Sequence, residues 1–360
     1  MTAPELPDRR SRLSGLLKKH RLEALAVSSL ASVQYLTGFT GSNGLLLATA
    51  EDFTLYTDPR YGAQAAGQAD CGVRVVKGAL HIALGADVRQ RRFHTLGFDP
   101  ANLSCESYFA LAKLVAGRTR LRPVTGLVES LRMIKSAAEV EAIALAGRLN
   151  SAAFQSATRY LRPGVTEQGM AAKIDFQLRR LGASGPAFDT IVAFGERSAL
   201  PHAQPTDKSL ANNELVLVDM GARSAGYVSD MTRMAVLGGP SPRLRAAYKA
   251  VLEAQLAAID AVRPGVTAGD VDSTARRVLR KHKIDRYFVH STGHGLGLEI
   301  HEPPRLGRGE RTTLQAGMAI TIEPGVYLEG AGGIRIEDTI VVTASGCCNL
   351  TSVSKDLLVV

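Results

Sequence analysis

The chain has 360 residues, 45% of them apolar and 21% charged, with a net charge of +9; this is an ordinary globular composition that excludes intrinsic disorder. No run approaches the roughly 20 apolar residues of a membrane span, so no membrane partner is expected. The charge is uneven, with 18 Lys and Arg against 11 Asp and Glu in residues 1–135 and 25 against 23 in the remainder, but only the Arg89-Gln-Arg91-Arg92 run clusters, which argues against a nucleic-acid partner and for a solvated basic surface.

Met1–Arg10 has no apolar leader core, and Cys71, Cys105, Cys347 and Cys348 show no C-x-x-C spacing. Both features point to a cytoplasmic protein without a disulfide or zinc framework. The length predicts about two domains.

Residues 5–20 place Leu6, Leu13, Leu16 and Leu17 among Arg and Lys at helical spacing and predict an amphipathic helix. Strand-length apolar runs follow at 24–28, 44–48, 53–57, 73–76 and 95–98, with helical patterns at 60–68, 80–90 and 106–115. The alternation predicts an α/β domain over residues 1–125. It holds no dinucleotide or phosphate-loop motif and no nucleophile constellation, so it reads as a scaffold, and Asp58, Arg60 and Tyr61 read as structural. Residues 126–135 are read as a linker and 136–360 as a second domain.

The second domain carries an internal repeat. A long helical pattern from Ser136 ends in Arg162-Pro-Gly-Val-Thr166 and is followed by another helix; a second, from Pro242, ends in Arg263-Pro-Gly-Val-Thr267 and is followed likewise. Strand-rich sequence follows both. Two copies of a helix–helix–strands unit are expected to pack about a pseudo-two-fold axis with a site between them.

Each copy offers a carboxylate pair. Leu215–Gly221 and Gly226–Arg233 read as two strands, and a hairpin centred on Ser224 and Ala225 sets Asp219 directly opposite Asp230, with Cβ atoms about 5 Å apart. Ala319–Gly325 and Gly333–Thr339 flank a turn near Gly330 that pairs Glu323 with Glu337, on the face opposite Ile320, Ile322, Ile334 and Ile336. Between them, His290, His294 and His301 share a stretch with Gly293, Gly295 and Gly297. The glycines argue against a helix and for a loop or irregular strand whose backbone passes close to something else. Four carboxylates in one cleft would be neutralised by two divalent cations. One histidine of this stretch would complete an oxygen-rich set suited to Mn²⁺, Fe²⁺ or Co²⁺ more than to a closed zinc site.

These residues carry a resemblance. Residues from about 136 onward resemble the pita-bread metallopeptidases, and the full length is similar to the Xaa-Pro aminopeptidase and prolidase branch. The matching segments are Leu200-Pro-His202-Ala, Asp219-Met-Gly, Ser229-Asp230-Met-Thr-Arg233, Gly293-His294-Gly-Leu-Gly-Leu-Glu-Ile-His301-Glu, Ile322-Glu323-Pro-Gly and Gly333-Ile-Arg335-Ile-Glu337-Asp. Tyr35-Leu-Thr-Gly-Phe-Thr-Gly-Ser and Thr57-Asp-Pro-Arg60-Tyr61 resemble that branch's N-terminal domain.

The resemblance implies a creatinase-like α/β N-terminal domain followed by an α+β pita-bread domain with an internal pseudo-two-fold repeat. It implies a dinuclear site of Asp219, Asp230, His294, Glu323 and Glu337, bridged by Asp230 and Glu337, with Mn²⁺ expected and Co²⁺, Fe²⁺ or Zn²⁺ as alternatives. His202, His290 and His301 match the family's active-site histidines, and Arg335 an arginine beside the bridging glutamate. No ligand position departs from the pattern, unlike in creatinases, and methionine aminopeptidases normally lack such an N-terminal domain. The implied activity is hydrolysis of the N-terminal Xaa-Pro bond of proline-containing peptides. Glu323 would move the proton and His202 or His301 would steady the oxyanion; His290 and His301 would wall the proline pocket, with His202 and Arg335 also on the substrate side. The glycines would let the backbone approach ion and peptide. A prolidase restricted to Xaa-Pro dipeptides and a non-catalytic peptide-binding protein of the same fold are the competing readings; a homodimer or homotetramer is expected.

Overall fold

The structure, a computed structural model, describes residues 5–360, so the first four residues of the stretch read for a leader lie outside it. The chain divides into two compact units, Met1–Arg132 and Met133–Val360. Among the described residues no helix is long and apolar enough to cross a membrane.

In the first unit the described strands form one six-stranded mixed sheet. Its order is Gly72–Val75, Phe53–Thr57, Leu45–Thr49, Ala24–Val27, Thr95–Phe98 and Arg120–Pro123. The central three form an antiparallel meander and the flanking strands pair in parallel. Leu84 and Val88 on the Leu80–Gln90 helix, and Leu111 and Val115 on the Cys105–Val115 helix, are spaced four apart and pack on Ala24, Ala26, Leu45, Leu47 and Leu96. The first helix runs Glu5–Lys19 as expected. Three elements escaped the sequence reading: the Leu30–Thr37 helix, the edge strand Arg120–Pro123 and the Leu127–Arg132 helix. The last occupies the stretch read as a linker and buries Leu127, Val128 and Leu131.

The second unit is built twice over. Helices Ala137–Thr158 and Glu167–Arg180 precede strands Ile191–Phe194, Leu215–Met220 and Met231–Val236; helices Pro242–Asp260 and Ala268–Lys281 precede Gly293–Gly295, Ala319–Ile322 and Asp338–Val342. The two Arg-Pro-Gly-Val-Thr turns do the same work. Gly164 and Gly265 take φ of 85° and 88°, and their N–H groups donate to Leu210 O and Leu314 O, while Leu210 and Leu314 donate back to Val165 O and Val266 O. Thr166 and Thr267 then cap the following helices by accepting from Gly169 N and Asp270 N.

Side-chain alternation explains the layering. On Leu215–Met220, Leu215 and Leu217 pack with Val251, Ala254, Val271, Ala275 and Leu279 of the second helix pair. Val216, Val218 and Met220 pack with Ala153, Phe154, Met170, Ile174 and Leu178 of the first. This strand is therefore covered on both faces, and a carboxylate on it has no route to solvent except through a cavity.

Candidate active site

Asp219 belongs to the Leu215–Met220 strand, but its partner across the ladder is Thr232, not Asp230. The turn is Ala225-Gly226, with φ of 50° and 86°, one residue later than the sequence reading took it. A two-residue hairpin turn wants positive φ at both positions, which favours glycine there rather than serine. The register therefore shifts by two residues, which preserves the faces. Asp230 falls in the break between Tyr227–Val228 and Met231–Val236, and its carboxylate still reaches the same cluster as Asp219.

The second hairpin has the expected register. Gly325 pairs with Arg335 on one side and Ile322 with Asp338 on the other. Glu323 and Glu337 sit between these ladders, where Pro324 cannot donate and the pairing passes from one sheet to the next. Carboxylates at ladder breaks can turn inward without displacing a strand hydrogen bond.

His294 lies on a three-residue strand, Gly293–Gly295, between Glu302–Leu306 and Ala319–Ile322, with a pairing irregularity just after it. Gly293 and Gly295 are required by neighbouring backbone. A Cβ on Gly293 would lie 2.0 Å from Thr321 O, and one on Gly295 2.2 Å from Pro303 O.

All nine residues singled out from the sequence, Asp219, Asp230, His202, His290, His294, His301, Glu323, Arg335 and Glu337, line one cavity of about 590 Å³. Asp230, His294 and Glu337 present donor atoms within 4.8 Å of one another. His294 Nε2 is 3.6 Å from both Asp230 Oδ2 and Glu323 Oε1. Its Nδ1 donates to Gly295 O at 3.0 Å, so Nε2 carries a lone pair aimed at carboxylates. Burial, then the neighbouring carboxylates, pushes Asp230 and Glu337 well above the usual carboxylate range, and burial pushes Glu323 up to about 7. Burial likewise holds His294 below its ordinary value. Asp219 Oδ1 and Asp230 Oδ1 are buried without a hydrogen-bond partner among the described residues. Unsatisfied oxygens, repelling carboxylates and a facing imidazole lone pair form a donor set that fits divalent cations.

Arg335 closes one side of the cluster. Its NH2 donates to Asp219 Oδ2 at 2.6 Å, Nε to Thr232 Oγ1 at 3.0 Å, and NH1 to Tyr327 OH at 2.7 Å and Pro201 O at 3.1 Å. Burial works against its charge, but Tyr327, Asp219, Glu323 and Glu337 hold it above its ordinary pKa. Thr232 in turn donates to Glu337 Oε2 at 2.7 Å. The three remaining histidines separate into two kinds. His290 has both ring nitrogens engaged, Nδ1 with Ser291 O at 2.7 Å and Nε2 with Tyr327 OH at 2.8 Å, and burial followed by Arg335 pushes its pKa down to about 4. It is a neutral wall. His202 and His301 are exposed at the cavity and have no hydrogen-bond partner among the described residues, with the His301 ring 4.5 Å from that of His294. Sequence reasoning missed Tyr327 and Thr232. Thr232 is the ladder partner of Asp219, and Tyr327 lies on the strand that pairs with the one carrying Arg335.

Residues 141–344 match the profile described as metallopeptidase family M24, and residues 9–134 that of the creatinase/prolidase N-terminal domain. An uncharacterized peptidase of Bacillus subtilis, YqhT, is 36% identical over 349 residues, 97% of this chain and 99% of that one. Among solved structures, an Xaa-Pro dipeptidase from Bacillus anthracis superposes with a TM-score of 0.95 at 36% identity, covering 99% of this chain and 100% of that one. An X-Pro aminopeptidase from Thermotoga maritima does so with a TM-score of 0.89 at 35% identity, covering 97% and 100%.

Proposed function

The chain belongs to metallopeptidase family M24, the pita-bread hydrolases, with a creatinase/prolidase N-terminal domain, and from that premise we propose that it is a metal-dependent exopeptidase cleaving the N-terminal Xaa-Pro bond of peptides. The observation that carries this reading is the gathering of Asp219, Asp230, Glu323 and Glu337 in one cavity with His294, whose donor atoms group with those of Asp230 and Glu337 and whose Nε2 lies 3.6 Å from Asp230 Oδ2 and Glu323 Oε1. Asp219, Asp230, His294, Glu323 and Glu337 would hold two divalent ions, Mn²⁺ being the ion proposed. Bound ions would supply Lewis-acid activation of a water and of the scissile carbonyl.

The chain's own groups do the rest. Glu323, which lines the cavity with its Oε1 3.6 Å from His294 Nε2, accepts the proton of the attacking water and returns it to the departing proline nitrogen. His202 and His301, which line the cavity and have no hydrogen-bond partner among the described residues, steady the oxyanion, each such hydrogen bond contributing about 3–4 kcal/mol to the transition state. Phe188, Ile191 and Ile300 give the cavity an apolar wall suited to a proline ring, with neutral His290 beside it. A proline nitrogen carries no hydrogen once acylated, so nothing here needs to recognise an amide N–H.

A second reading, a prolidase confined to dipeptides, is favoured by Arg305. This exposed cation lines the same cavity, held by Ser291 Oγ at 2.6 Å, and would pair with a C-terminal carboxylate only if the substrate ended at proline. The names of the two solved relatives support both readings. The deciding measurement compares kcat/KM for Xaa-Pro and Xaa-Pro-Yaa-Zaa with added Mn²⁺. Comparable or better values for the tetrapeptide support the aminopeptidase; a preference for the dipeptide that Arg305→Ala abolishes supports the prolidase. A metal-replete protein inert toward both would overturn the two together.

A further inference from the structure

Behind the carboxylate cluster lies a second buried polar network that the reaction does not use. Arg233, 1% exposed, is the largest fully buried side chain of the described chain. Its five N–H groups meet five acceptors: Nε donates to Ser354 O at 2.9 Å, NH1 to Thr232 O at 3.0 Å and Glu337 O at 2.6 Å, and NH2 to Asp338 Oδ1 at 2.7 Å and Val353 O at 2.8 Å. Asp338 is equally buried, and its other oxygen accepts from Gln255 Nε2 at 3.0 Å, Asn349 Nδ2 at 2.9 Å and Lys355 Nζ at 2.7 Å. One guanidinium therefore ties the backbone of Thr232 and Glu337 to the backbone of residues 353 and 354.

We propose that Arg233 is a positioning residue for the metal centre and that the backbone of Val353 and Ser354, which it clamps, is a working part of that centre. The inference rests on the reading of Glu337 as a metal ligand. Thr232 and Glu337 already hold each other, through Thr232 Oγ1 to Glu337 Oε2 and Glu337 N to Thr232 O at 3.2 Å. Glu337 lies between two ladders, beyond the pairs Gly325–Arg335 and Ile322–Asp338, whereas Thr232 is fixed in its own ladder opposite Asp219. Arg233 adds a constraint at Glu337 by clamping its carbonyl together with that of the fixed Thr232, and the C-terminal segment supplies the opposite jaw of the clamp. Shared constraints of this kind make coupling reciprocal: a segment that orders the ligands is itself ordered when the ligands are occupied.

Two measurements on the full chain test this. Calorimetric titration with Mn²⁺ compares wild type, Glu337→Gln, Arg233→Lys and Lys355→Met. Arg233→Lys keeps the charge facing Asp338 but cannot span the two carbonyl pairs, and Mn²⁺ affinity should fall about 10–100-fold. Lys355→Met removes a partner of Asp338 that touches neither Thr232 nor Glu337, and affinity should stay within about twofold of wild type under the same relation between outer contacts and binding. Hydrogen exchange of the wild type, which needs no variant to fold, should show slower exchange across residues 349–355 when Mn²⁺ is added. Wild-type affinity in folded Arg233→Lys, or exchange in that segment indifferent to Mn²⁺, overturns the proposal. Unchanged affinity in Glu337→Gln instead overturns the reading of Glu337 on which it rests.

Discussion

The four histidines of the cavity carry different amounts of freedom, and that difference sets their expected roles. His290 spends both nitrogens on the protein, while His202 and His301 keep theirs for whatever enters the cavity. Replacing His290 with Phe preserves a flat apolar wall but removes the partner of Ser291 O and one of the two partners of the Tyr327 hydroxyl, which keeps Arg335 NH1; a buried polar group that loses its partner costs about 1–3 kcal/mol of stability. His290→Phe is therefore expected to lower the melting temperature and to leave kcat within about tenfold of wild type, since no transition-state donor is lost. His202→Ala and His301→Ala each remove a candidate oxyanion donor, and kcat is expected to fall by about 10²–10³ with little change in melting temperature. Steady-state kinetics and thermal denaturation of the three variants check the split; equal losses of kcat in all three would refute it. All four histidines were visible in the sequence as members of one site. Their division was not, because it depends on Tyr327, whose hydroxyl reaches His290 from a different strand.

At the scale of elements, five of the six strands of the first unit were legible to within a residue, because each short apolar run between turn residues leaves little choice of boundary; Arg120–Pro123 was not, since Arg120 and Arg122 break its apolar pattern. The Leu30–Thr37 helix was not. Its eight residues include valine and threonine and carry no clear stripe, and the marks that define it, Ser29 accepting from Ser32 N and Gly38 at φ 81°, lie outside the apolar pattern. The same kind of mark decided the first carboxylate hairpin, where Gly226 and not Ser224 belongs to the turn. The histidine strand shows what glycine does in an element. Gly293→Ala would drive a Cβ into the Thr321 carbonyl at 2.0 Å, and backbone on both sides leaves no room for the clash to relax. The expected result is a loss of about 1–3 kcal/mol or more, read by urea denaturation, with reduced turnover because His294 is the next residue. Gly346→Ala, where a Cβ meets nothing within 4 Å, is the matched control and should be neutral.

At the scale of the whole second unit, the duplicated turns and helices bring two hairpins face to face, and the outcome is a cavity in which the carboxylates outnumber the two arginines, Arg335 and Arg305, that line it. That arrangement makes stability depend on what neutralises it. Asp230, Glu337 and Glu323 have folded pKa values raised above their unfolded ones, Glu323 to about 7. Groups raised in this way favour folding while protonated, and that contribution is lost as pH rises through the folded value. His290 and His294 are depressed below the ordinary 6.5, so they oppose folding only at pH below that value and are silent above it. Between about pH 6.5 and pH 8 the raised carboxylates give a falling slope, and the chelated protein is expected to lose stability across this window. Divalent ions take the place of the lost protons. Mn²⁺ at 100 times its dissociation constant should add about 2.7 kcal/mol, and at a fixed free concentration the gain should be larger at pH 8 than at pH 6.5, because protons no longer compete for the carboxylates. Melting curves of chelated and Mn²⁺-loaded protein at the two pH values read this directly. A chelated protein whose stability rises across the window, or a metal-induced shift that shrinks with pH, would mean that these carboxylates are neutralised by something other than the cations they are built to hold.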